Sequence, residues 1–161
     1  MKFRLLPASL TLSAAALVGI AVHEGYRERA YDDGVGVQTL GFGSTSREDG
    51  SPVRPSDRTD PVRALILLGA AADRKQMEMR ECIGAVPLHQ HEWDAFVSLA
   101  YNIGTTAFCR STLVKKLKSQ PPDYAGACRE ILKWTRAGGR ELPGLVRRRQ
   151  AEYRQCLGDA P

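Results

Sequence analysis

Glu24, Asp33 and Thr39 stand in that order, separated by eight and five residues. One carboxyl can protonate a leaving oxygen while a second carboxylate activates or steers a water. A hydroxyl that both donates and accepts can orient that water between them. Cleavage of a glycosidic bond uses this combination. To act as the acid, Glu24 must hold its proton near neutral pH, which calls for partial burial or a neighbouring carboxylate. Asp32 competes with Asp33 for the charged role, because adjacent residues of an extended chain point to opposite sides. Either aspartate can instead simply start the turn at Gly34.

The flanking residues indicate what must hold these groups. An apolar, helix-compatible run ends at Val22, which puts Glu24 near a helix C-terminus. Asp33-Gly34 is a turn dipeptide, and Val35, Val37 and Thr39 then alternate as in a strand of a small hairpin. A helix end and a hairpin can aim two carboxyl groups into one groove. The glycines of Gly41-Phe42-Gly43 let backbone approach a sugar closely.

Further along, residues 44–60 are polar, with Pro52, Pro55 and Asp49-Gly50, and read as the rest of a small sheet plus loop. Thr59-Asp60-Pro61 is a helix start, with a capping side chain and proline in the first turn. That helix runs to about Cys82, with Leu65, Ile66, Leu68 and Ala72 on its apolar side. Residues 90–103 form another, placing Trp93, Phe96, Val97 and Ala100 at i, i+3, i+4 and i+7, with Gly104 as its stop. Ser111 or Thr112 caps a short helix to Lys118, a further one spans 124–134, and Pro143 opens the last.

Composition sets the remaining bounds. The 161 residues, 43% hydrophobic, make one domain or two small lobes sharing a helix. Formal net charge is +5, and between Arg110 and Arg149 eleven Lys/Arg face three Asp/Glu. A basic face suits nucleic acid, a membrane surface or bacterial cell wall, or is merely solvated. Cys82, Cys109, Cys128 and Cys156 lack C-x-x-C spacing and have few histidines nearby, so no zinc site is expected. In an exported chain they would form two disulfides; in a cytosolic one they would be buried thiols. Their number leaves the pairing open.

Lys2 and Arg4 precede the apolar stretch from Leu5 to Val22. As one helix its eighteen residues would span about 27 Å, just short of the roughly 30 Å hydrocarbon core. Ser9, Thr11, Ser13 and Gly19 weaken it as a span, and the basic flank favours an N-in orientation. A signal peptide cleaved at Ala14-Ala15-Ala16 and an ordinary buried helix are the alternatives.

The set Glu-(8)-Asp-(5)-Thr followed by Leu40-Gly41-Phe42-Gly43 resembles the active-site signature of phage-type lysozymes, glycoside hydrolase family 24. Asp94-Ala95-Phe96-Val97-Ser98 with Tyr101-Asn102-Ile103-Gly104 is similar to the family's central helix. Ser111-Thr112-Leu113, Trp134, Ala137-Gly138-Gly139 and Gly144-Leu145-Val146-Arg147-Arg148-Arg149 also fit, so the resemblance covers roughly residues 20–157. It implies an α+β, mainly α, two-lobed lysozyme-like fold: a small β-hairpin lobe at about 24–60, a connecting helix at about 60–82 and a helical lobe at about 83–157. Residues 1–23 would precede the catalytic domain as a segment resembling the signal-arrest-release segments of some phage endolysins. Such segments insert uncleaved through about residues 5–22, tether an inactive enzyme to the host inner membrane, and later free it into the periplasm.

The implied activity is an endolysin cutting the β-1,4 bond between N-acetylmuramic acid and N-acetylglucosamine of peptidoglycan. Glu24 would be the general acid, with Asp33 and Thr39 holding water, and Asp33 keeps the family spacing where Asp32 does not. Gly43, Ser44, Tyr101 and Asn102 would meet the sugar, although many family members carry histidine where this chain has Ser44. One of Arg147, Arg148 and Arg149 would orient Glu24, or the three would form a surface ladder. The family's helix layout implies Cys128 with Cys156 and hence Cys82 with Cys109. A monomer is expected, with no metal, organic cofactor or nucleic-acid partner. The rivals are a lytic transglycosylase acting on the same bond and a non-catalytic wall-binding module.

Overall fold

The computed structural model describes residues 3–159 apart from Asp33 and Val35. The expectations resting on Asp33 and Val35 therefore lie outside the described residues. The described residues form seven α-helices, two short 3-10 turns and two small two-stranded antiparallel sheets, an α+β, mainly helical fold. By contact density the chain divides into two compact units, Leu17–Arg74 and Met1–Ala16 with Lys75–Pro161. The divisions fall inside α1 (Ala14–Glu24) and α2 (Pro61–Ile83).

In the Leu17–Arg74 unit, β1 (Arg27–Asp32) pairs with β2 (Gln38–Gly41), with Tyr31 opposite Thr39 and Asp32 opposite Gln38. The strand after the turn starts at Gln38, later than the alternation from Val35 suggests. The reason is local: Asp32 Oδ1 accepts the N–H groups of Gly34 (2.7 Å) and Gly36 (3.1 Å), so the turn takes more residues. Residues 44–60 add only bridges, Leu40 to Ser44, Ser46 to Pro52 and Arg29 to Arg58. Arg47 pins this loop with a two-point ion pair to Asp57 at 2.6 and 2.9 Å. Asp60 Oδ1 caps α2 by accepting from Val62 and Arg63 at 2.9 and 3.0 Å, and Pro61 follows as its first residue.

The other unit is built on α3 (Gln90–Ile103), which packs on α7 (Pro143–Leu157). Trp93, Phe96, Val97 and Ala100 are fully buried, as their spacing suggests. The opposite face is buried too, every residue from Glu92 to Ala100. Truncating Trp93 or Phe96 to alanine would cost about 3–5 kcal/mol. α4 (Thr105–Arg110), α5 (Thr112–Leu117), α6 (Tyr124–Glu130) and the 3-10 turn Ile131–Lys133 complete the core with Phe108, Leu113, Leu117, Ala127 and Ile131. Ser111 caps α5, accepting from Val114 N–H. A small exposed ribbon, β3 (Arg136–Ala137) with β4 (Arg140–Glu141), leads into α7. Cys82 is bonded to Cys109 and Cys128 to Cys156.

Two expectations fail here. The run from Leu5 to Val22 is not one helix: Pro7 opens a 3-10 turn at Pro7–Ser9, and α1 starts only at Ala14. Pro7 bars a helix only upstream of itself; from Pro7 to Ser13 the backbone instead bonds to the side chains of Arg80, Gln90, Gln76 and Asp94. Ser13 Oγ then accepts from Ala16 N–H at 3.1 Å and starts α1. Among the described residues no helix is long and apolar enough to cross a membrane. Nor do the α7 arginines form a surface ladder, because Arg148 and Arg149 are buried beside buried Glu152.

Candidate functional site

Glu24 is the last residue of α1 and is half-buried. Gly25 follows at φ +72°, its N–H closing the helix on Ala21 C=O at 3.0 Å. Leaving the helix there turns the chain into β1, so the carboxyl sits at the junction of helix and hairpin.

β2 ends in the turn Gly41-Phe42-Gly43, closed by reciprocal Leu40–Ser44 backbone bonds of 2.8 and 2.9 Å. Both glycines have positive φ, +65° and +88°. A β-carbon on Gly41 would stand 2.8 Å from Ala64 Cβ of α2, so only glycine lets the turn lie on that helix. A β-carbon on Gly43 would stand 3.7 Å from Glu24 Oε2. The turn backbone and the Glu24 carboxyl thus face each other at contact distance. Tyr26 steadies the turn, its ring 5.6 Å from that of Phe42 and its hydroxyl donating to Thr59 C=O at 2.8 Å.

Thr39 lies on β2 with 5% exposure, and its hydroxyl donates a long 3.4 Å bond to Val37 C=O. The oxygen keeps its accepting lone pairs. Asp32, the rival of Asp33, is exposed and spends one oxygen on the turn. Ser44 is buried, and its hydroxyl makes no hydrogen bond. Glu24, Thr39, Gly43 and Ser44 thus all lie in the Leu17–Arg74 unit.

Tyr101 and Asn102 lie in the other unit, at the end of α3. Tyr101 is half-buried with Lys75 Nζ 5.3 Å from its ring centre, and Asn102 is exposed. Sequence reasoning missed the buried cluster behind them. The Glu152 carboxylate accepts from Ser98 Oγ at 2.6 Å, Arg148 Nε at 3.1 Å and Arg149 Nη2 at 3.0 Å. Burial pushes this carboxyl upward, while Arg149, the Ser98 hydroxyl and Arg148 act against it. The signal was present in the spacing, since Glu152 follows the two arginines by four and three residues on one helix. Among the described residues no cluster of His, Cys, Asp and Glu could hold a metal ion.

A half-buried carboxyl at a helix end, facing a glycine turn, can deliver a proton to an oxygen of a ligand lying on that turn. Residues 21–152 match the phage lysozyme family. The chain is 40% identical over 146 residues to an endolysin of Acyrthosiphon pisum secondary endosymbiont phage 1, covering 88% of this chain and 94% of the relative. It is 32% identical to a SAR-endolysin of bacteriophage PS119, covering 83% and 76%. In three dimensions it is similar to the endolysin from Escherichia coli O157:H7 phage FAHEc1, with TM-score 0.81, 31% identity and coverage of 95% and 98%.

Proposed function

The chain belongs to the phage lysozyme family, a glycosidase acting on peptidoglycan to lyse the cell wall, and from that premise we propose its bond and its catalytic groups. The bond is the β-1,4 link between N-acetylmuramic acid and N-acetylglucosamine. Glu24 is the general acid, and Asp33 and Thr39 hold the attacking water. The observation that carries this reading is the Glu24 carboxyl facing the Gly41–Gly43 turn, with Thr39 two residues before that turn on the same strand. The turn engagement of Asp32 supports Asp33 as the charged partner.

Hydrolysis is a single inverting displacement. Glu24 protonates the leaving oxygen while water, deprotonated by Asp33 and aligned by Thr39, attacks the anomeric carbon from the opposite face. Gly43 and Ser44 are assigned to the sugar, and Tyr101 and Asn102 are assigned as further sugar contacts, an aromatic face and an amide. The test is Glu24→Gln beside wild type, both shown folded by circular dichroism, on purified cell walls. Loss of lysis by a factor of about 10² or more supports the assignment, and unchanged lysis overturns it. NMR of the first-formed product must show the α anomer; a retained β anomer would require Thr39 to act otherwise.

We further place the enzyme first at the host inner membrane, tethered and silent through residues 5–22, and then in the periplasm. Support comes from the SAR-endolysin relatives and from the apolar, Ser- and Gly-interrupted segment itself. While the segment spans the bilayer, Glu24 is held at its surface and cannot complete the site.

A further inference from the structure

Residues 4–13 are not loosely draped. Seven polar groups of their backbone are read by the Lys75–Pro161 part of the same unit. Leu5 and Leu88 exchange backbone hydrogen bonds at 2.7 and 2.8 Å. Arg80 donates to Pro7 C=O at 3.1 Å and to Leu10 C=O at 2.7 Å. Gln90 donates to Thr11 C=O at 2.7 Å, Gln76 Oε1 accepts from Leu12 N–H at 2.7 Å, and Asp94 Oδ1 accepts from Ser13 N–H at 3.0 Å. Arg4 forks onto the Glu92 carboxylate at 2.8 and 3.3 Å while its guanidinium lies 3.7 Å from the Tyr124 ring centre.

The receiving side chains are prepared for this. Gln76, Glu92 and Asp94 are 1%, 3% and 4% exposed, and each is also held by its own unit. Gln76 takes Trp93 Nε1–H, Glu92 takes His89 N–H, and Asp94 takes Gln90 Nε2–H. From the segment's own side chains the receiver uses little beyond Arg4, Pro7 and Leu10. Phe3, Leu5 and Leu6 stay 78%, 49% and 50% exposed. The backbone therefore fits one environment, and these apolar side chains fit another.

We infer that this receiver, made by Gln76, Arg80, Leu88, Gln90, Glu92 and Asp94, captures residues 4–13 in competition with a lipid bilayer. The inference rests on the membrane tether proposed above. In the bilayer the segment must satisfy its backbone within one helix, with Pro7 in its first turn. In the receiver every one of the groups named above gains a partner without that helix, and α1 begins directly afterwards. Capture and bilayer insertion exclude each other, so the strength of the receiver sets how readily the segment leaves the membrane.

Arg80→Met tests this without altering the segment, so the affinity of residues 1–22 for lipid is untouched. The methionine keeps an unbranched stem beside Trp93 and removes both bonds to the segment. Full-length wild type and variant are mixed with phosphatidylethanolamine/phosphatidylglycerol vesicles, and the bound-to-free ratio is measured. Amide hydrogen exchange at Leu5, Leu12 and Ser13 is followed in the vesicle-free protein. The expected result is faster exchange at those amides, an unchanged α7, and a bound-to-free ratio raised about tenfold or more. Gln90→Ala, at an exposed position, provides a milder second variant whose folding is not in question.

Faster exchange with an unchanged ratio would overturn capture and leave the contacts a structural seam. Unchanged exchange would overturn the receiver itself. No vesicle binding by either protein would instead remove the tether on which the inference stands. Wall lysis by the same preparations reports separately on the catalytic assignment.

Discussion

Gly43 presents its bare α-carbon to Glu24, close enough that an added methyl would touch Oε2 at 3.7 Å. The same glycine has φ +88°, a backbone state that L residues reach at a cost of about 1–2 kcal/mol. Gly43→Ala should therefore act twice, straining the turn and crowding the face where Glu24, the proposed acid, would meet a ligand. We expect lower stability by roughly that amount and a larger fall in wall lysis than stability explains. Urea unfolding beside a turbidity assay separates the two; a variant as active as wild type would show that no ligand lies on this turn.

Glu152 is shared by two buried guanidiniums, so its removal should cost far more than a surface charge. Glu152→Gln is expected to lose about 3–5 kcal/mol. Arg147→Ala, one residue before the buried pair and exposed, should change stability by less than about 0.5 kcal/mol. Equal effects in denaturant titration would mean that burial of this cluster is not what makes it matter.

Acid should loosen the loop of residues 44–58 before it unfolds the chain. The Arg47 hydrogen bond, followed by Arg54 N–H, holds the Asp57 carboxyl below its ordinary value of 3.8. A folded pKa below the unfolded one means that this contribution is whole above the ordinary value and lost as pH falls through the folded one. The amide of Arg54, which donates to Asp57 Oδ2 at 2.8 Å, is the reporter. Its NMR resonance should move below about pH 4, and Asp57→Asn should abolish that movement. A pH-independent resonance in wild type would refute the pairing.

Raising the hydrophobicity of the N-terminal segment should hold the enzyme at the membrane. Ser9 and Thr11 are exposed, and half-buried Gly19 has nothing within 4 Å of an added β-carbon, so leucine at all three should leave the fold intact. Ser13 is left alone because its hydroxyl starts α1. Cells expressing the triple variant should lyse later than those with wild type, while purified variant still clears walls. Lysis on the wild-type schedule would contradict the tether.

The helix starts at Asp60-Pro61 and Pro143 and the stop at Gly104 were readable because each is decided by chemistry within a few residues. So was Glu24 near a helix end, since the apolar run stops at Val22. The fate of residues 5–13 was not readable. Their hydrogen-bond partners lie 64 to 83 positions away in sequence, and hydropathy alone favours one continuous helix. Arg148 and Arg149 misled for a similar reason. A run of charges reads as solvated unless a buried acceptor is foreseen, and here Ser98 comes from another helix, 50 residues from Arg148.

The two disulfides close stretches of 27 and 28 residues, neither enclosing the other, and no cysteine precedes Cys82. As a covalent graph the oxidised chain is an open thread up to position 82, followed by two rings strung in series. A pull on the N-terminus can draw out Glu24, Thr39 and the whole hairpin without meeting a ring. Those residues can be unravelled and wound back while both bonds stay closed, so the part proposed to carry the chemistry remains topologically free of the part that is cross-linked.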